Sequence, residues 1–132
     1  MIGRRDFFKV LGLAALIPAA PLKPASAGRR IDLLEVHIAG FQYHEGMSAG
    51  VFSMLKRGGE LCLRREPDNP YDPFAIAMET QAGNKLGYLP RRINGIPAAI
   101  LDQGVTTRAE IVGIDALAPP WERVLVRVWQ EV

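Results

Sequence analysis

Arg65-Glu66-Pro67-Asp68-Asn69-Pro70-Tyr71-Asp72-Pro73-Phe74-Ala75-Ile76 is the segment on which the rest of the chain hangs. Prolines recur at every third position, at 67, 70 and 73. Each ring locks its own φ and pushes the preceding residue out of the helical region, so Asn69 and Asp72 are both biased towards extended backbone. No helix runs through such a segment, and a proline cannot donate to the ladder of a central strand. The expectation is a stiff, extended loop with pre-positioned polar groups. Leu61 and Leu63 before it, and Phe74 and Ile76 after it, mark apolar strands leading in and out. A rigid polar loop between two core strands is a natural place for a site, and equally a plain stiff turn.

The flanks read as short strands. Residues 32–43 form the first, with Leu34, Val36 and Ile38 on one face and Glu35 and His37 on the other. Gly40 marks a bulge or a close backbone approach within it. Gln42, Tyr43 and His44 close this strand with polar and aromatic groups. Residues 47–55 are a short helix or irregular turn, since Gly50 interrupts the helical spacing of Met47, Val51 and Leu55. Residues 60–65 are the second strand. Residues 74–79 and 85–89 pair around a turn at Gln81-Ala82-Gly83-Asn84.

Residues 92–102 are the best helix candidate. Ile93, Ile96, Ile100 and Leu101 make its apolar face, Asn94 is placed to cap it, Pro97 falls in its first turn and Gly104 stops it. Residues 106–114 and 122–132 are the last strands, separated by Pro119 and Pro120. Six short strands and one good helix define a mainly β domain, a small curled or closed barrel with the helix plugging one end.

The 132 residues are 48% apolar and 23% charged, which fits one globular domain. The first 27 residues are set apart. Gly3-Arg4-Arg5-Asp6-Phe7-Phe8-Lys9 resembles a twin-arginine export motif, and an apolar stretch from Val10 to Ala20 follows it. That stretch falls short of the ~20 residues needed to span a bilayer. Ala25-Ser26-Ala27 then fits a small-x-small cleavage site. Residues 1–27 are therefore expected to be a signal peptide and residues 28–132 a single domain, periplasmic or secreted.

This division changes the meaning of the charge. Four of the sixteen basic residues (Arg4, Arg5, Lys9, Lys23) and one of the fourteen acids (Asp6) lie in the first 27. The remainder holds twelve basic and thirteen acidic residues, so the formal +2 of the whole chain becomes −1. Any anion site must then be a local patch, not a generally basic surface. Cys62 is the only cysteine, which excludes an internal disulfide and a cysteine-based zinc site. No metal or cofactor is expected.

Three motifs, taken in order, resemble the HIRAN domain. They are Ile38-Ala39-Gly40-Phe41, then Leu61 through Ile76, then Lys85-Leu86-Gly87-Tyr88-Leu89-Pro90-Arg91. The resemblance spans about residues 34–115. It implies an OB-like six-stranded β-barrel with one or two short helices. In large remodeller ATPases that domain grips the 3′ end of single-stranded DNA, so the resemblance implies a nucleic-acid-binding module.

It also implies a set of site residues. Asp72 matches the aspartate that receives the terminal 3′-hydroxyl, and an ionised carboxylate beside DNA makes sense where it reads a hydroxyl. Asp72 is equally placed to cap its own turn. Tyr71 matches an adjacent aromatic, able to stack on a base or to pack over the barrel rim. Asp68 and Asn69 fall at a polar pair, with Asn69 read first as a loop-holder. Gln42, Tyr43 and His44 fall where the remodeller domains have an arginine and two aromatics. Tyr43 fits, His44 offers a substitute ring, and Gln42 departs, losing a charged phosphate donor. Tyr88 and Arg91 fall at a further ring and cation, and Arg91 with Arg92 are the leading phosphate candidates.

The remodellers' ATPase and zinc functions do not carry over, because the chain has no GxxxxGK[ST] loop and no CxxC. No Ser/His/Asp set and no His/carboxylate set has a recognisable catalytic spacing, so the chain is read as a non-enzyme. Two binding readings stand side by side. One is a grip on a single-stranded 3′-hydroxyl end. The other is an exported domain that keeps the fold but holds a nucleotide, a hydroxyl-rich small molecule or a protein.

Overall fold

The computed structural model describes residues 28–132; the twin-arginine-type motif, the apolar stretch and the expected cleavage site lie outside them. Six strands follow in chain order: β1 (Arg30–His37), β2 (Glu60–Arg65), β3 (Ile76–Thr80), β4 (Lys85–Tyr88), β5 (Thr107–Ile114) and β6 (Val124–Glu131). They form one sheet in the order β1-β6-β5-β2-β3-β4. The pairs β2–β3, β2–β5, β3–β4 and β5–β6 are antiparallel.

The sheet curls until its ends meet. Just past β1, the Ala39 N–H donates to the Tyr88 carbonyl and the Ala39 carbonyl accepts from the Tyr88 N–H, both at 2.9 Å. This single bridge closes the barrel. It is possible because residue 87 is glycine: its φ is 150°, and a Cβ there would collide with the Ala39 carbonyl. The architecture is the expected six-stranded β-barrel, with two short helices where the family resemblance implies one or two.

The interior follows from alternation. Val124, Val126 and Val128 of β6 are buried while Leu125, Arg127 and Trp129 between them are half-buried. Ile38, Phe41, Leu61, Ile76, Met78, Leu86, Leu89 and Ile111 complete the core. Helix α1 (Ala49–Phe52) is capped by Ser48, whose Oγ accepts from the Val51 N–H at 3.3 Å. Helix α2 (Gly95–Asp102) is followed by Gly104 in the left-handed region, φ 82°. No helix of the described residues is long and apolar enough to cross a membrane.

Several expectations need correction. Strand β1 ends at His37 and does not run to Tyr43. Gly40 takes φ 70° and turns the chain into a 3-10 turn, Phe41–Tyr43, which sinks the Phe41 ring into the core. Gln42, Tyr43 and His44 therefore stand on a turn and not at a strand end.

Strand β3 begins at Ile76, because the Phe74 and Ala75 N–H groups are both taken by Asp72. Helix α2 begins at Gly95, after a separate 3-10 turn at Arg91–Ile93. That break rotates the apolar face: Ile96, expected inward, is 77% exposed, and Pro97 and Ala98 are buried instead. Asn94 sits at the cap position with φ −85° and ψ −12°, already helical, and its side chain caps nothing.

Candidate ligand-binding cleft

The proline segment is not extended. Asn69 N–H bonds the Glu66 carbonyl at 3.0 Å, Asp72 N–H the Asn69 carbonyl at 3.3 Å, and Ala75 N–H the Asp72 carbonyl at 3.1 Å. These are three consecutive tight turns, and Pro67, Pro70 and Pro73 each occupy the second position of one. That position is where a proline's fixed φ favours a turn. The three-residue proline period is thus a turn period, and the expectation of an extended loop is corrected.

The loop's own side chains brace these turns. Asn69 Oδ1 accepts from the N–H groups of Tyr71 (2.9 Å) and Asp72 (3.2 Å), and its Nδ2 donates to Glu66 Oε1 at 3.1 Å. Asp72 Oδ1 accepts from the Phe74 N–H at 2.9 Å. Arg65 spans the loop's far end. Its guanidinium donates to the Ala75 carbonyl (2.9 Å), the Pro73 carbonyl (3.0 Å) and Asp102 Oδ1 on α2 (2.9 Å).

Between this loop, the Gly40 turn and the Tyr88–Arg91 segment lies a cleft of about 530 Å³. It gathers seven of the nine predicted site residues: Tyr43, His44, Asn69, Tyr71, Asp72, Tyr88 and Arg91. Ala39, Gly40, Pro70, Ala75 and Leu89 supply apolar lining. The rings of Tyr43 and Tyr71 stand out into solvent, 79% and 83% exposed. His44 and Tyr88 pack edge to face, 5.5 Å between centroids.

Two predicted residues are not in the cleft. Asp68 lies with Arg64 and Glu66 along a neighbouring groove, which shares Asn69, Pro70 and Tyr88 with the cleft. Gln42 turns its side chain inward, where its Oε1 is buried without a hydrogen-bond partner. Arg92 is exposed and outside the lining.

Beside the cleft is a polar cluster that the sequence reading missed. Glu66 Oε2 accepts from Lys85 Nζ at 2.7 Å, and Glu66 Oε1 accepts from the Tyr88 hydroxyl at 2.8 Å. Lys85 Nζ also donates to the Tyr88 hydroxyl at 2.9 Å. Burial pushes the Glu66 carboxyl up, but Lys85, Asn69 and Tyr88 outweigh it and hold the group at about 2. Lys85 is likewise raised despite burial, by Glu66 and Tyr88. His44 is lowered, by burial first and by the Lys85 charge second. Nothing local marks this cluster, since Lys85 and Tyr88 stand 19 and 22 positions from Glu66.

Asp72 is the acceptor at the cleft. Burial pushes its carboxyl up, yet the Phe74 N–H, the Asn94 amide and the charges of Arg91 and Arg65 outweigh that and leave it below its ordinary value. It is ionised at neutral pH and can only accept hydrogen bonds. Each oxygen already takes one donor and keeps capacity for another. The cleft thus offers a hydroxyl acceptor flanked by aromatic surface, with Arg91 as a nearby cation. Among the described residues no cluster of His, Cys, Asp and Glu is arranged to hold a metal ion.

A closed barrel with exposed rings and a fixed acceptor at its seam is a small OB-like domain. The chain belongs to the HIRAN domain family, whose pattern matches residues 31–132. It is 32% identical over 81 residues to the helicase-like transcription factor of Oryctolagus cuniculus and 31% identical over 81 residues to that of Homo sapiens. Those matches cover 61% of this chain and 7% of each relative.

A crystal structure of a protein from Lactobacillus plantarum superposes with a TM-score of 0.69 at 27% identity, covering 79% of this chain and 98% of that one. The HIRAN domain of human HLTF has the same fold, with a TM-score of 0.61 at 23% identity, covering 79% of this chain and 80% of that one.

Proposed function

We propose that this domain is a non-catalytic module that grips the 3′-hydroxyl end of single-stranded DNA. The observation that carries the reading is the placement of Asp72, an ionised acceptor in a cleft flanked by the exposed rings of Tyr43 and Tyr71. A carboxylate repels phosphate, so its use at a nucleic-acid site is to accept from a sugar hydroxyl. The rings give sequence-tolerant stacking surface. Family membership supports the same assignment.

The test is fluorescence anisotropy of the full chain with labelled single strands ending in 3′-hydroxyl or 3′-phosphate. The hydroxyl end binds more tightly, and Asp72→Ala abolishes that preference. Equal affinity for the two ends contradicts the reading.

One observation favours a second ligand class. Gln42 stands where the family has an arginine and is turned inward, which leaves Arg91 as the single cation lining the cleft among the described residues. A free nucleotide, a hydroxyl-rich small molecule or a protein needs fewer phosphate contacts than a strand. Binding of a mononucleotide as tight as that of a 3′-hydroxyl strand selects this alternative.

We also read residues 1–27 as a twin-arginine-type signal that sends residues 28–132 to the periplasm or medium. Replacing Arg4 and Arg5 with lysine then traps the precursor inside the cell. Unchanged secretion contradicts that route.

A further inference from the structure

Asn94 is one of two buried polar residues among those described, the other being Thr107. Thr107 bonds locally, to the Val105 carbonyl at 3.1 Å. Asn94 does not. It is 3% exposed, stands where an N-cap would stand, and leaves the helix N–H groups alone. Its Nδ2 points across to the proline loop and donates to Asp72 Oδ2 at 2.7 Å. Removing an amide from water is costly without such a partner, and a helix start does not by itself require one here.

The two oxygens of Asp72 are therefore held from two directions. Oδ1 takes the Phe74 N–H, a bond within the loop, and Oδ2 takes Asn94, a bond from the residue just before α2. The final torsion of an aspartate is broad, so one bond leaves the carboxylate plane free to swing. The second fixes it. The same helix is tied to the loop again at its other end, through Asp102 and Arg65.

We propose that Asn94 is a positioning residue that sets the plane of the Asp72 carboxylate, and so sets the domain's discrimination for a terminal hydroxyl. The assignment rests on the 3′-end reading above. Asn94 does not touch the ligand and acts only through Asp72.

The experiment is anisotropy of the full chain against strands ending in 3′-hydroxyl and 3′-phosphate, for wild type, Asn94→Ala, Asp72→Ala and the double variant. Losing a hydrogen bond to a charged group corresponds to about a tenfold effect. Asn94→Ala is expected to cut the hydroxyl preference by about that factor while affinity for the phosphate end changes less than about twofold. In the Asp72→Ala background, Asn94→Ala is expected to change nothing further.

A merely structural Asn94 weakens both ends alike and does so in both backgrounds, and that result overturns the assignment. A hydroxyl preference that Asn94→Ala leaves undiminished overturns it too, without touching the 3′-end reading. Equal wild-type affinity for the two ends overturns both. Asn94→Ser is the second variant in case alanine unfolds the domain. Its hydroxyl falls short of Asp72, so it gives the same loss, and a retained preference counts against the proposal.

Discussion

The polar cluster beside the cleft and the rim of the cleft are built on opposite terms. In the cluster, Glu66, Lys85, Tyr88 and Asn69 bond one another, and three donors converge on one carboxylate. On the rim, Tyr43 and Tyr71 stand in solvent, and among the described residues no salt bridge uses Arg91. Groups whose bonding is satisfied internally hold shape, whereas exposed rings and an unpaired cation keep their capacity for a partner. Asp72 belongs to both regions: the loop and α2 hold it, and it still has room to accept.

If the division is right, substitutions in the cluster damage the fold and those on the rim damage binding alone. Glu66→Ala has the largest effect. It leaves Lys85, Tyr88 and Asn69 without their shared acceptor, at a cost of about 2–3 kcal/mol for a partly buried charge. For a domain of this size that lowers Tm by about 10 °C or more.

The same residue sets the acid response. Its folded carboxyl lies at about 2 against an ordinary 4.5, so its contribution is complete above pH 4.5 and is lost as pH falls towards 2. Thermal unfolding of wild type and Glu66→Ala across that range shows the difference between them shrinking with acid. Parallel curves contradict the assignment.

Tyr71→Ala comes next. It weakens strand binding by about 1–3 kcal/mol, the worth of one stacked base. Tm barely changes, because the exposed ring contributes little to the fold. Tyr43→Ala behaves the same way, and a large Tm loss in either variant would move that ring from the rim to the scaffold. Arg91→Gln is the mildest. It flattens the plot of log affinity against log salt by about 0.7, the share of one phosphate contact on a single strand. An unchanged slope removes Arg91 from the interface.

Much of this is legible in the sequence. Strand β2 occupies residues 60–65 as its alternation predicts, and β6 buries its three alternate valines. Such local periodicities are readable because each residue reports its own face. The misreadings came from residues whose partners are distant or whose backbone switches abruptly. Gly40 ends β1 through a single left-handed residue, which composition marks only as a bulge. Each proline taken alone predicts extended backbone, whereas their spacing places each at the second position of a turn. Asn94 matched a local capping rule, and its actual partner, Asp72, is 22 positions away. The family resemblance puts Gln42 in the site, yet its side-chain carbonyl faces inward.

The bridge between Ala39 and Tyr88 has one more consequence. Both residues line the cleft, so a bound molecule lies directly over the point where the barrel shuts. Whatever sits there opposes the parting of β1 from β4. Occupancy and the rate at which the barrel breathes are therefore linked quantities. The two amide hydrogens at that seam then act as a built-in gauge, exchanging with solvent more slowly as the cleft fills.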